Sequence, residues 1–303
     1  MLTSAAYVQP ELVRGQTTVS DWMPAPIVMP EDHVEIAVGD SHGHLKTVKA
    51  VVERSLREAP TAHVTFTGDL VSRGPQCAET LDYATSLIAQ RQKDGKGAFL
   101  YGNHEIALLG YMAGVEQFDP MFEKHGGWLH HGFRISRRLI ASSLRSSLSE
   151  DGYNLFTRNG FMLKPKSDFF KKSMKDILYR VVGNVVLVHA GLPQSLTKKK
   201  DILRYLKKMR PYEWNDNHPI WLKTGFLDAP HNFDGMVVVH GHTIESKIED
   251  ATFKNGRKPV GHHAFDKFRI GIDGGSYLTG VVTAVILRNG YYKTVVSEGY
   301  DRV

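Results

Sequence analysis

Cys77 is the only cysteine in this chain of 303 residues. A single thiol excludes an intramolecular disulfide and any cysteine-built zinc or iron–sulfur site, and no Cys–His signature surrounds it to make it a nucleophile. Long apolar runs are lacking as well: no stretch approaches the ~20 residues that a membrane span requires. The first thirty residues have no basic start followed by an uninterrupted apolar stretch, so they do not read as a Sec signal. They carry Pro10, Pro24, Pro26 and Pro30, and residues 1–30 are expected to form an extended arm ahead of a catalytic domain over 31–303. Acidic residues are in the minority, 32 against 38 Lys and Arg, which leaves a formal charge of +6. That balance favours anionic partners such as phosphorylated proteins, nucleotides or acidic membrane surfaces, and no motif points to nucleic acid.

After the arm, strand-like and helix-like segments alternate. Val34 to Val38 is apolar-rich, and residues 45, 48, 51, 52 and 56 repeat at helical spacing. The pattern recurs with Ala62 to Thr67 and a helix near Ala78 to Gln90, then Ala98 to Tyr101 and a helix opening at Glu105. These are βα units. Ile177 to Val188 holds two β-rich stretches around Gly183-Asn184, a two-residue hairpin signal. Met236 to Val239, Phe268 to Ile272, Gly280 to Leu287 and Tyr291 to Val296 read as further strands. The order predicts an α/β fold, a four-layer α/β/β/α sandwich of two mixed sheets. A segment at about 112–175 breaks the alternation and is expected to be a mainly helical insertion. It contains Trp128, His130-His131, a helix-like Ile135 to Leu148 and a lysine-rich run from Lys164 to Lys175; the run reads as a solvated face, with a substrate-selecting rim as the alternative.

Five apolar runs end in short polar segments: Gly39-Asp40-Ser41-His42-Gly43, Gly68-Asp69-Leu70-Val71-Ser72-Arg73-Gly74, Gly102-Asn103-His104-Glu105, His189-Ala190-Gly191 and His240-Gly241-His242-Thr243. Carboxylates and imidazoles suit hard to borderline divalent cations, and strand ends let residues far apart in sequence converge. Asp40 and His42 stand two apart, so in extended backbone both fall on one side and can grip one cation. Asp69 has two oxygens and can bridge two ions. Asn103 offers an amide oxygen, and His189 and His242 offer imidazole nitrogens, for a second ion. His44 and His240 read as neighbours of the site, and Glu105 as a helix-start residue rather than a base.

In this order the five segments resemble the calcineurin-like metallophosphoesterase superfamily, and within it the phosphoprotein phosphatase family of bacterial and phage type. There is some similarity to symmetrical diadenosine tetraphosphatase through Gly68 to Pro75. The resemblance runs over roughly residues 34–288 and includes Gly271 to Gly275. It implies two divalent metals, Mn²⁺ with Fe or Zn²⁺ as alternatives, the first on Asp40, His42 and Asp69 and the second on Asp69, Asn103, His189 and His242. It further implies attack on phosphorus by a hydroxide on the metal pair, Arg73 as phosphate clamp, and His104 as proton donor to the leaving oxygen, with Asn103 and His104 also near the phosphate.

Two positions depart from the family pattern. Ser72 stands where many members have an aspartate, so the carboxylate that would charge His104 is missing. Lys223, in His218-Pro219-Ile220-Trp221-Leu222-Lys223, stands where bacterial types have a second phosphate-binding arginine, and lysine is a point charge without the fork. The expected activity is hydrolysis of Ser/Thr or Tyr phosphate on a protein or peptide. The alternatives are a symmetrical dinucleoside tetraphosphate hydrolase and a phosphoprotein-binding pseudo-phosphatase. The expected location is the cytoplasm, as for bacterial or phage-type enzymes, with delivery into a host by a specialised secretion system also compatible.

Overall fold

The computed structural model describes residues 15–118, 137–164, 175–244, 264–266 and 268–301. Two mixed sheets form the framework. The first has the order β1 (Gln16–Val19), β12 (Tyr291–Glu298), β11 (Val282–Arg288), β3 (Glu35–Val38), β4 (His63–Phe66), β5 (Gly97–Phe99), with β2 (Met23–Pro24) also pairing with β12. The second has the order β6 (Tyr179–Val182), β7 (Val185–Val188), β8 (Val237–His240), β10 (Arg269–Gly271), β9 (Ala264–Asp266). Strands β3, β4 and β5 are parallel, as βα units require, whereas β11 and β12 run antiparallel to their neighbours.

The layering follows from strand periodicity. Ala37, Val185, Leu187, Val237, Val239, Val285 and Leu287 share one buried cluster between the sheets. Their alternate neighbours Ile36, Val38, Val186, Val188, Val238, Ala284 and Ile286 belong to a second cluster under the helices. Successive side chains on a strand point to opposite faces, so both faces are covered and four layers result. Helix α1 (Leu45–Glu58) buries Val48, Val51 and Val52 of the predicted apolar stripe, with Leu45 and Leu56 half-buried at its ends, and Thr47 and Ser55 buried beside it. Helix α2 (Cys77–Gln92) packs on β4 and β5. Burial pushes the Cys77 thiol up to about 11, which keeps it protonated near neutral pH.

Residues 16–24 of the N-terminal segment are extended where they pair with β12. Within 112–175 the described residues form α4 (Arg137–Ser147) and α5 (Glu150–Thr157), with α3 (Asn103–Met112) preceding them. Ser149 caps α5 by accepting from Gly152 N at 3.1 Å. Arg158 then ties the segment to β5, donating to Phe99 O at 2.9 Å and Asp176 O at 3.0 Å. Trp128, His130, His131 and residues 165–174 of the lysine run lie outside the described residues.

At the N-terminal ends of β3 and β4 the fully buried Glu35 accepts from His33 Nε2 at 2.9 Å and His63 Nδ1 at 3.0 Å, with Arg180 Nε at 3.4 Å. Burial by itself raises this carboxyl, but the bonds from His33 and His63 and the Arg180 charge overcome it and hold the group down at about 2. A depressed carboxyl contributes stability that is fully present above the unfolded value and lost as pH falls through the folded one. The contribution is on the order of 3 kcal/mol. Thermal melts between pH 7 and pH 2 should therefore show a steep loss of stability below about pH 4.3. Glu35→Gln should melt lower at pH 7 and show a shallower acid dependence; an unchanged acid limb would remove Glu35 from the account.

Candidate metal centre

The C-terminal ends of β3, β4, β5, β7, β8 and β10 open at one edge of the paired sheets, and each apolar strand there gives way to a polar residue: Asp40, Asp69, Asn103, His189, His242 and Asp273. All but His242 are buried.

Asp69 stands at the centre. His42 Nε2 and His104 Nε2 each lie 3.7 Å from its Oδ2, and His189 Nε2 lies 3.4 Å from its Oδ1. Ligand-type atoms of His42, Asp69 and His104 fall within 4.8 Å of one another, and so do those of Asp69, His189 and His242. Asp69 belongs to both triads. Asn103 Oδ1 faces His189 Nε2 at 3.0 Å and His242 Nδ1 at 2.9 Å. Two imidazoles are aimed by their other nitrogen, His42 Nδ1 bonding Val71 O and His189 Nδ1 bonding Thr67 O, each at 3.0 Å. Asp40 is in neither triad; its Oδ2 accepts from His242 N at 3.0 Å, and so ties the first segment to the fifth.

The local backbone explains the convergence. His42, Asp69, Ser72, Arg73 and His242 all have positive φ, between 40° and 77°, in segments where side chains disfavour it. Glu105 holds the central turn: its Oε2 accepts from Asp69 N at 2.7 Å and Gly102 N at 2.9 Å, and its Oε1 from Leu70 N at 2.8 Å and Val71 N at 3.2 Å. Glu105 does start α3, as its position implies, and also fastens a loop more than thirty residues away. Gly102 lets the ends of β4 and β7 meet, since a Cβ there would lie 2.2 Å from Asp69 Oδ1 and 2.8 Å from His189 Cε1.

Electrostatically the centre is a crowd of buried acids and imidazoles. Burial raises Asp69, but the His189, His104 and His42 imidazoles outweigh it and hold that carboxyl well below the usual range. Burial and then the Asp273 charge push Asp40 well above it, and burial lifts Asp273 itself to about 6. His189 is depressed by burial but carried to about 10 by Asp69 and Asp40, whereas burial takes His42 down to about 4 and His242 to about 3. Asp40 Oδ1 and His242 Nε2 are buried and have no hydrogen-bond partner among the described residues. A divalent cation would satisfy such atoms, and a donor set of carboxylate, amide and imidazole without thiolate fits Mn²⁺, Fe or Zn²⁺.

At the rim, Arg73 is exposed, its guanidinium 4.1 Å from the centre of the Tyr277 ring. Lys223 is in neither triad; it lines a cleft of about 220 Å³ with Ala190, Phe226 and Thr243, and its charge helps hold the His242 imidazole down. The Ser72 hydroxyl is buried and makes no hydrogen bond among the described residues, so position 72 supplies His104 with neither charge nor a hydroxyl bond. His44 is buried beside the first segment, its Nδ1 on Ser41 O at 3.0 Å. Asp273 lies in the Gly271–Gly275 segment of the resemblance but has no role assigned from the sequence, and Tyr277 is not singled out there, although Asp273 ends an apolar run in Asp-Gly-Gly.

Fold and site together define a metallophosphoesterase architecture. The family model for calcineurin-like phosphoesterase matches residues 36–271, and the chain belongs to that family. Among curated proteins it is 36% identical over 84 residues to a symmetrical bis(5'-nucleosyl)-tetraphosphatase of Hamiltonella defensa, covering 27% of this chain and 28% of that one. It is 28% identical over 164 residues to a symmetrical bis(5'-nucleosyl)-tetraphosphatase of Pseudomonas fluorescens, covering 54% of this chain and 45% of that one. The chain thus spans less than half the length of these curated relatives. A protein serine/threonine phosphatase from Saccharomyces cerevisiae shares the fold, with a TM-score of 0.51 at 13% identity, covering 90% of this chain and 81% of that one. These sequence relatives stand with the tetraphosphatases rather than with the protein phosphatases of the first expectation.

Replacing Glu105 by Gln puts an amide NH₂ among four backbone donors and should cost about 2–3 kcal/mol of stability. Chemical denaturation measures it. Manganese affinity of the same variant, measured by calorimetry, should fall with it; a variant as stable as the parent would show that the turn holds without this clamp.

Proposed function

We propose that the protein is a metal-dependent hydrolase of dinucleoside polyphosphates, cleaving a phosphoanhydride bond at the Asp69 centre. The observation that carries the reading is Asp69 itself, one buried carboxylate common to two triads of ligand-type atoms. Asp40, His42 and Asp69 would hold one cation and Asp69, Asn103, His189 and His242 the other, with His104 beside the first. When bound, two such ions supply Lewis acidity that polarises phosphoryl oxygens and makes nearby water more acidic.

The chain's own residues do the rest. Arg73, exposed at the rim, presents a fork that matches two phosphate oxygens and never loses its charge. Lys223 adds a point charge beside His242, in the cleft it lines with Thr243. His104 Nε2 holds the proton for the departing oxygen. Burial holds the His104 imidazole well below its usual range, and position 72 gives it no negative charge to keep it protonated, which suits a leaving group that spreads its charge over phosphate oxygens better than an alkoxide that must be protonated. Sequence likeness to symmetrical bis(5'-nucleosyl)-tetraphosphatases supports the same substrate class.

A second reading, a phosphoprotein phosphatase, is favoured by Glu105, since the third motif of the tetraphosphatases typically ends in Asp. The two are separated by assaying the Mn²⁺-loaded protein on diadenosine tetraphosphate and on Ser/Thr and Tyr phosphopeptides side by side. The expected result is conversion of the dinucleotide to two nucleoside diphosphates, with phosphopeptides turned over far more slowly. Activity confined to phosphopeptides would overturn the substrate assignment. Asp69→Asn should lower turnover roughly a thousandfold, the equivalent of about 4 kcal/mol.

A further inference from the structure

Beyond the metal centre, one aromatic side chain stands where the phosphate clamp needs a support. Tyr277 lies in the helical turn Ser276–Thr279, and the turn is fixed from both ends. Gly275 N donates to Asp273 Oδ1 at 2.8 Å, Thr279 Oγ1 donates to Gly274 O at 2.9 Å, and Val281 N donates to Thr279 Oγ1 at 3.1 Å. Gly275 and Gly280, with φ of 67° and 69°, flank it in the left-handed region, and the Ser276 side chain is fully buried. The ring therefore has a set position. Its face carries the Arg73 guanidinium at 4.1 Å, and it meets the His42 ring edge-on, with centroids 5.4 Å apart and planes at 87°. Among the described residues, neither the Arg73 guanidinium nor the Tyr277 hydroxyl makes a hydrogen bond or ion pair.

We propose that Tyr277 is a positioning residue: its ring is a shelf that holds the Arg73 guanidinium in place beside the metal centre, leaving the N–H fork free for a phosphate. The inference rests on the reading of Arg73 as a phosphate ligand. The physical argument is preorganisation. A long, exposed arginine loses rotational freedom when it grips an anion, and one already held against an aromatic face loses less. Among the described residues Arg73 makes no ion pair with a carboxylate, Asp273 acting on it only through space, and its backbone is in the left-handed region at φ 71°, so the loop aims the side chain while the ring stops it from swinging into solvent.

The test is calorimetric binding of inorganic phosphate to the Mn²⁺-loaded protein, with folding followed by circular dichroism and manganese content measured for each variant. Tyr277→Leu should weaken phosphate binding about five- to tenfold, and Tyr277→Phe, which keeps the shelf, should restore it to within about twofold of the parent. Arg73→Ala should weaken it at least as much as Tyr277→Leu, and adding Tyr277→Leu to Arg73→Ala should then change little, with manganese content unaltered throughout. If Arg73→Ala weakens phosphate while Tyr277→Leu does not, the shelf is refuted and the clamp stands. If Tyr277→Leu acts equally with and without Arg73, or acts by loss of manganese, the ring does not work through Arg73 and the proposal fails. If Arg73→Ala leaves phosphate binding intact, the clamp reading falls and takes this inference with it.

Discussion

Everything at this site depends on one buried carboxylate being held still. Asp69 is placed by Glu105, whose two oxygens accept from four backbone N–H groups, three of them in the turn that carries Asp69. A carboxylate engaged in this way is a rigid brace, because each donor left unpaired in a buried turn would cost about 1–3 kcal/mol. The brace also holds Asp69 at positive φ, a conformation that a loose loop would relax out of, and Ser72 and Arg73 follow it in the same region. Strain here is an outcome of convergence: residues from six strand ends cannot meet around one acid with ideal backbone throughout.

The two ends of the same strands make the contrast plain. At the start of β3 and β4, Glu35 sits among His33, His63 and Arg180 with its oxygens taken up. At their far ends Asp40 keeps a buried oxygen without a partner. Both are clusters of acid and imidazole within one protein. The first is closed, and so it adds stability; the second retains unmet coordination capacity, and so it can take a cation. Burial alone does not separate structure from function here, whereas the hydrogen-bond account of each atom does.

The five polar segments were legible because each interrupts an apolar strand at its C-terminal end, and β3, β7 and β8 are short runs of buried residues that alternate between two cores. The four-layer arrangement and the Gly183-Asn184 hairpin were readable for the same reason. Less of Asn184 was readable: beyond the turn, its side chain bonds Pro26 O, Val28 N and Gly235 O, partners that no local pattern announces. The pairing of β1 and β2 with β12 also escaped, since Gln16–Val19 is short and polar and Met23–Pro24, at two residues, is too short to show a period. Glu105 looked like a helix cap because its nearest partner is three residues away; its other partners are contacts of tertiary structure. Tyr277 was invisible on the same grounds, being joined to Arg73 only when two distant turns face each other.

The central claim is that Asp69 is shared by a pair of divalent cations. Anomalous diffraction from manganese-loaded crystals addresses it directly. Two peaks about 3.5–4 Å apart, one on either side of the Asp69 carboxylate, are the predicted result. A single ion, or ions that leave Asp69 uncoordinated, would contradict it.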